Sequence, residues 1–222
     1  MSKATQTPEA EVAAATAPHK SYLIEKADES TGELRLESKF KYLAGRPKQY
    51  RFNGQTGQFN LNGTEYIGTS LSIQPITWRI FEENLFARGR KEEWAEIFFV
   101  DNTDSVSAIM FSNSSVGRLL KLIEQLFYRD LSLNDVVLTI KSEAKKNDKG
   151  QYHVAVFEYK EADKAQVLEL QEFAQDIPIY RTDTLTPTAV YSLVSPTFRI
   201  PELPNHDETA LLADSSPEQQ AA

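Results

Sequence analysis

The sequence predicts a mainly β protein whose centre, residues 69–159, forms a small five-stranded barrel with one helix between its third and fourth strands. Three observations predict it. Leu71, Ile73, Ile76, Trp78 and Ile80 supply an apolar run long enough for an extended first strand. Two pairs of β-type segments, 94–111 and 135–159, each pivot on a polar turn. Between those pairs lies one stretch with the three-to-four-residue apolar spacing of a helix.

Taken in order, residues 1–20 show no periodicity and read as a disordered leader. Residues 21–66 read as a β-hairpin extension. Leu34 and Leu36 alternate with charges there, and Tyr50-Arg51-Phe52 and Phe59-Asn60-Leu61 flank the turn sequence Asn53-Gly54-Gln55-Thr56-Gly57. Within the first barrel strand, Pro75 marks an edge or a bulge, because proline cannot donate to a ladder. A charged loop, 82–93, leads to strands 94–100 and 105–111, which turn at Asp101-Asn102-Thr103-Asp104. Ser114 or Ser115 can cap a helix over 116–128, with Leu119, Leu120, Ile123, Leu126 and Phe127 on its apolar side. Strands 135–140 and 152–159 flank the polar turn 145–150. The order β-β-β-α-β-β with a long first strand is that of an OB-type barrel, a partly open Greek key. A C-terminal helix over 167–173 stops before Pro178 and completes a barrel domain of residues 67–181. Residues 182–222 read as an acidic, largely disordered tail, with room for an extended segment over 182–199.

Composition narrows the function. With 41% hydrophobic residues the chain can bury a core, and with no cysteine it has neither disulfides nor thiolate metal sites. No apolar run approaches the ~18 residues of a membrane span, and the polar start lacks the apolar core of a signal peptide. A cytoplasmic protein is expected. The net charge of −8 is unevenly spread. Residues 20–160 carry 20 basic and 19 acidic side chains, whereas residues 161–222 carry three and eleven. A near-neutral body therefore precedes an acidic end.

Barrels of this type bind oligonucleotides or oligosaccharides on the second and third strands and the loops beside them. Arg88, Arg90 and Lys91 occupy the loop between the first two strands, and Lys145, Lys146 and Lys149 the loop between the last two. Alternation along the second strand puts Ala95, Ile97 and Phe99 on one face and Trp94, Glu96 and Phe98 on the other. If the aliphatic set faces the core, Trp94 and Phe98 stand outside between two basic loops. Flat aromatics there would stack bases at ~1–3 kcal/mol each while the cations track phosphates. The competing reading packs Trp94 and Phe98 under the N-terminal hairpin or a partner. Tyr50 and Arg51, in a stretch that interleaves aromatics with bases, would extend the path. Gly54-Gln55-Thr56-Gly57 matches the GxxG clamp of KH domains, but its strand-like flanks favour a hairpin turn.

The barrel order together with the acidic residues of 202–218 resembles bacterial and phage single-stranded DNA-binding proteins. That resemblance implies a non-catalytic protein that coats exposed DNA in replication, recombination or repair. It also implies a tail that recruits replication or repair proteins. Catalytic signals are sparse. His19, His153 and His206 have no metal-ligand spacing, and no phosphate-loop, dinucleotide or nucleophile-elbow motif occurs. No cofactor or metal is expected. The rival expectation is a protein–protein or homo-oligomerisation module that uses the same aromatic face.

Overall fold

A computed structural model describes residues 20–148 and 150–201. The protein is mainly β. Two short strands, β1 (Leu23–Ala27) and β2 (Leu34–Ser38), make a separate hairpin. They are followed by β3 (Lys48–Phe52), β4 (Phe59–Leu61), β5 (Glu65–Gly68), β6 (Ser70–Ile73) and β7 (Pro75–Glu83). Next come β8 (Glu92–Val100), β9 (Val106–Ser112) and helix α1 (Ser114–Phe127). The long strands β10 (Val136–Asn147) and β11 (Gly150–Glu161), helix α2 (Lys164–Asp176) and β12 (Val190–Val194) complete the chain.

The expected OB-type barrel does not form. Among the described residues the twelve strands make three sheets, and none is closed: β1-β2, β11-β10-β6, and a seven-stranded sheet ordered β12-β7-β8-β9-β3-β4-β5. A five-stranded barrel would need the last strand to close beside the third. Here the free edge of β9 is taken by β3 in a parallel pairing that runs from Lys48↔Ser107 to Arg51↔Met110. Tyr50 and Phe52 on β3 lock it there, with their rings 5.1 Å from Phe99 and 6.1 Å from Phe111. The chain passes from the small sheet to the large one at Gln74, between β6 and β7, and the register shifts between Pro75 and Thr77. Proline's missing donor makes that the natural place for a break.

The β7-β8-β9 part of the seven-stranded sheet is covered on both faces. On one lie α1 and the small sheet, around Trp78, Ile97, Ile109, Leu119 and Leu138. Val116, Leu119, Leu122 and Leu126 form the buried stripe of α1, at the spacing of one helical face. On the other face lies α2, whose Leu170, Phe173 and Ala174 pack with Phe40, Ile76, Phe98 and Ile179. Asp163 caps α2 by accepting hydrogen bonds from the N–H groups of Ala165 and Gln166.

Beyond α2, where a largely disordered tail with room for an extended segment over 182–199 is expected, the chain crosses the second face of the sheet through a 3-10 turn, Thr182–Thr184, and then pairs as β12 with β7. The expected leader (residues 1–19) and the acidic end (202–222) lie outside the described residues.

Candidate nucleic-acid interface

Trp94 and Phe98 are not the outward-facing stacking platform. Trp94 is 3% exposed and Phe98 fully buried. The indole Nε1 donates to the carbonyl oxygen of Glu83 at 3.0 Å. The cause is the segment after α2, which roofs their face of β8. Between them on that face sits Glu96, in a fully buried ion pair with Arg79 (Nη2···Oε2 2.6 Å, Nε···Oε2 2.8 Å). Thr184 of the roof donates its hydroxyl to Glu96 and accepts from Arg79, and the Tyr191 hydroxyl accepts from Arg79. The rings of Phe81 and Phe198 flank the guanidinium at 4.3 and 5.1 Å. Burial pushes the Glu96 carboxyl up, and the Arg79 charge pulls it back. Alternation along β8 misled because both faces of the sheet are interior at this strand.

The exposed aromatic beside Trp94 is Phe86, in the loop between β7 and β8. Leu85 is buried and pins that loop, while Phe86 is 55% exposed. Phe86 and Ala87 take left-handed backbone angles, φ 56° and 54°. That conformation is rare for a bulky residue and marks a constrained turn. It holds the Phe86 ring edge-on against Trp94, with centroids 5.6 Å apart at 80°. The buried tryptophan is thus the buttress for an exposed phenylalanine.

Around Phe86 the cations gather. Arg88 lies over the Trp94 ring at 4.6 Å and donates to Glu92 at 2.6 Å. Arg90 donates to the other oxygen of Glu92 at 2.9 Å and is itself exposed, as is Lys91. Burial works against the charge on Glu92, but the hydrogen bonds from Arg88 and Arg90 outweigh it and lower its pKa. Arg181, brought in by the segment after α2, is largely buried. It donates to Met110 Sδ at 3.3 Å and to Asp183 at 2.6 Å, and stands 5.7 Å from the Phe86 ring.

These groups line one cleft. A cavity of about 380 Å³ is bounded by Tyr50, Arg51, Phe52, Phe86, Arg88, Met110 and Arg181. A second, of about 310 Å³, shares Phe52, Arg88 and Met110 with the first and runs on to Ser114 at the start of α1 and to Tyr152 and His153 of β11. The β7–β8 loop is one wall and the β10–β11 ribbon the other.

The remaining expected site residues divide. Arg51 is exposed in the cleft. Tyr50 is half-buried with its hydroxyl on Asp101 (3.3 Å); burial first, then Asp101, pushes that hydroxyl up to about 12. It serves packing more than stacking. Lys145 and Lys146 are exposed on the ribbon, where Lys145 pairs with Glu143 and stands opposite Tyr152. Lys149 lies outside the described residues. Gly54 to Gly57 form a β3–β4 hairpin turn whose Gly54 carbonyl accepts from His153 N–H at 2.7 Å. Phe86 and Arg181 were missed. The only hint of Phe86 was an apolar pair, Leu85-Phe86, within a charged loop, and Arg181 sat at the border of the presumed tail.

Among the described residues no group of three or more His, Asp or Glu side chains could hold a metal ion, and no helix is long and apolar enough to cross a membrane. Comparison with family models, with curated proteins and with solved structures finds no match.

Proposed function

We propose that this protein binds single-stranded DNA in the cleft beside Phe86, as a binding protein and not a catalyst. The observation that carries the proposal is the meeting of an exposed, buttressed aromatic ring with Arg51, Arg88 and Arg181 in one cleft. Phe86 supplies a flat surface for one base, which any base can use because every base has a π face. Arg51 is exposed in the cleft, and Arg88 and Arg90 share the single carboxylate of Glu92, which leaves one net positive charge between them; together they can neutralise about two phosphates. Arg181 is already paired with Asp183, so its part is to support the Phe86 ring from below.

Two neutralised phosphates on a single strand give a salt slope of about −1.4, so affinity falls roughly sevenfold between 50 and 200 mM salt. A filter-binding titration of labelled oligo-dT at those two concentrations tests this. Absence of binding at the lower salt overturns the proposal. Binding that does not respond to salt overturns the assigned role of the arginines.

A further inference from the structure

The face of the large sheet that carries Phe86's cleft does not end there. Cross-strand register aligns one residue per strand in a row: Arg79 on β7, Glu96 on β8, Met110 on β9, Arg51 on β3, Asn60 on β4 and Tyr66 on β5. Residues paired directly opposite share a face. Burial along that row changes sharply. Arg79 and Glu96 are fully buried under the segment after α2, Met110 is half-buried, Arg51 is exposed, and Tyr66 is 62% exposed. The roof therefore stops at β9 and leaves the β3-β4-β5 portion of the same face open.

Two features make that open portion more than a solvated sheet edge. Tyr66 presents a large aromatic ring to solvent on an edge strand, where burial elsewhere would be the rule. The Arg51 guanidinium lies beside Gly63 in the β4–β5 turn, where an added Cβ would stand 3.2 Å from Nη1, so the cation bridges from the cleft toward Tyr66.

We infer that the bound strand continues from the Phe86 cleft across β3, β4 and β5, perpendicular to them, and ends on Tyr66 as a second stacking platform. Three inter-strand steps separate Met110 from Tyr66, about 14 Å at the usual spacing. At the ~3.4 Å rise of stacked nucleotides that is about four nucleotides. This inference rests on the proposed DNA-binding function and adds a direction and a length to it.

The test is the length dependence of binding by the full chain and its Tyr66→Ala, Tyr66→Phe and Phe86→Ala variants, using fluorescein-labelled dT3 and dT8 at low salt. A trimer fills the Phe86 cleft alone, whereas an octamer reaches both rings. The native chain is expected to bind dT8 at least tenfold more tightly than dT3. Tyr66→Ala should lower dT8 affinity roughly 5- to 150-fold, the loss of one stacked base, and leave dT3 unchanged. Tyr66→Phe keeps the ring and should keep the affinity. Phe86→Ala should weaken both ligands. If Tyr66→Ala leaves dT8 affinity within twofold while Phe86→Ala lowers it, the path across β5 is wrong and the cleft stands. If neither ligand binds the native chain, the DNA-binding function itself falls and this inference with it.

Discussion

Replacing Phe86 by alanine separates binding from folding, because the ring is anchored yet exposed. Its edge-on contact with Trp94 is worth about 0.5–1.5 kcal/mol, and with 55% of the residue exposed little further burial is lost. A fully buried Phe→Ala costs about 3–5 kcal/mol, so Phe86→Ala should cost about 1–2. A loss of that size lowers Tm by only a few degrees in a chain this long. Binding should suffer more. Loss of one stacked base costs about 1–3 kcal/mol, a 5- to 150-fold rise in Kd for oligo-dT. Trp94→Ala makes the instructive contrast. Trp94 is 3% exposed and its Nε1 holds the Glu83 carbonyl, so its removal should cost 3–5 kcal/mol or more of stability. Fluorescence anisotropy with labelled dT8 at low salt, run beside thermal melts, reads both quantities. A Phe86→Ala protein that melts near the native temperature and binds within twofold of native affinity would refute the placement of the site.

Three further outcomes follow from the same geometry. Arg51→Gln should weaken oligo-dT binding and flatten the salt slope by about 0.7, one phosphate's worth, as read from titrations at several salt concentrations. Arg79→Met should cost about 3–5 kcal/mol at pH 7, because it strands the Glu96 carboxylate in the interior. Without Arg79 the folded-state pKa of Glu96 rises further above its unfolded value. The Arg79→Met variant should then lie closest to native stability below about pH 4.5 and lose ground as pH rises, which urea midpoints at pH 4.5 and 8 would show. Gly57→Ala should destabilise the β3–β4 turn, since Gly57 sits at φ +71° and a Cβ there would collide with Ser142 Oγ and His153 Nδ1. The left-handed backbone alone costs about 1–2 kcal/mol for a non-glycine residue, and a urea melt with an unchanged midpoint would contradict this.

Local elements of the fold were legible because their signals are local. The spacing of Leu119, Ile123 and Leu126 announces α1, and Asp101 to Asp104 announces the β8–β9 turn. Arg88 and Arg51, which the sequence marks as bases near aromatics, both line the cleft. The parallel pairing of β3 with β9 was not legible. It joins segments more than fifty residues apart, and nothing in either segment names its partner. That single pairing replaced the expected barrel with an open sheet.

The aromatic platform shows the division most sharply. The sequence alone determined that residues 82–99 would combine arginines with Trp94 and Phe98, and that β8 would alternate two apolar sets. Which ring meets solvent was decided by tertiary structure. Residues 177–198 fold back over β7 and β8, clamp on through Thr184 and Tyr191 to the buried Arg79–Glu96 pair, and take Trp94 and Phe98 out of reach. Burying a face is a property of what lies across from it, so the strand's own pattern cannot tell a solvated side from a roofed one. Beside β8, Phe86 is left as the exposed ring, held in view by the tryptophan beneath it.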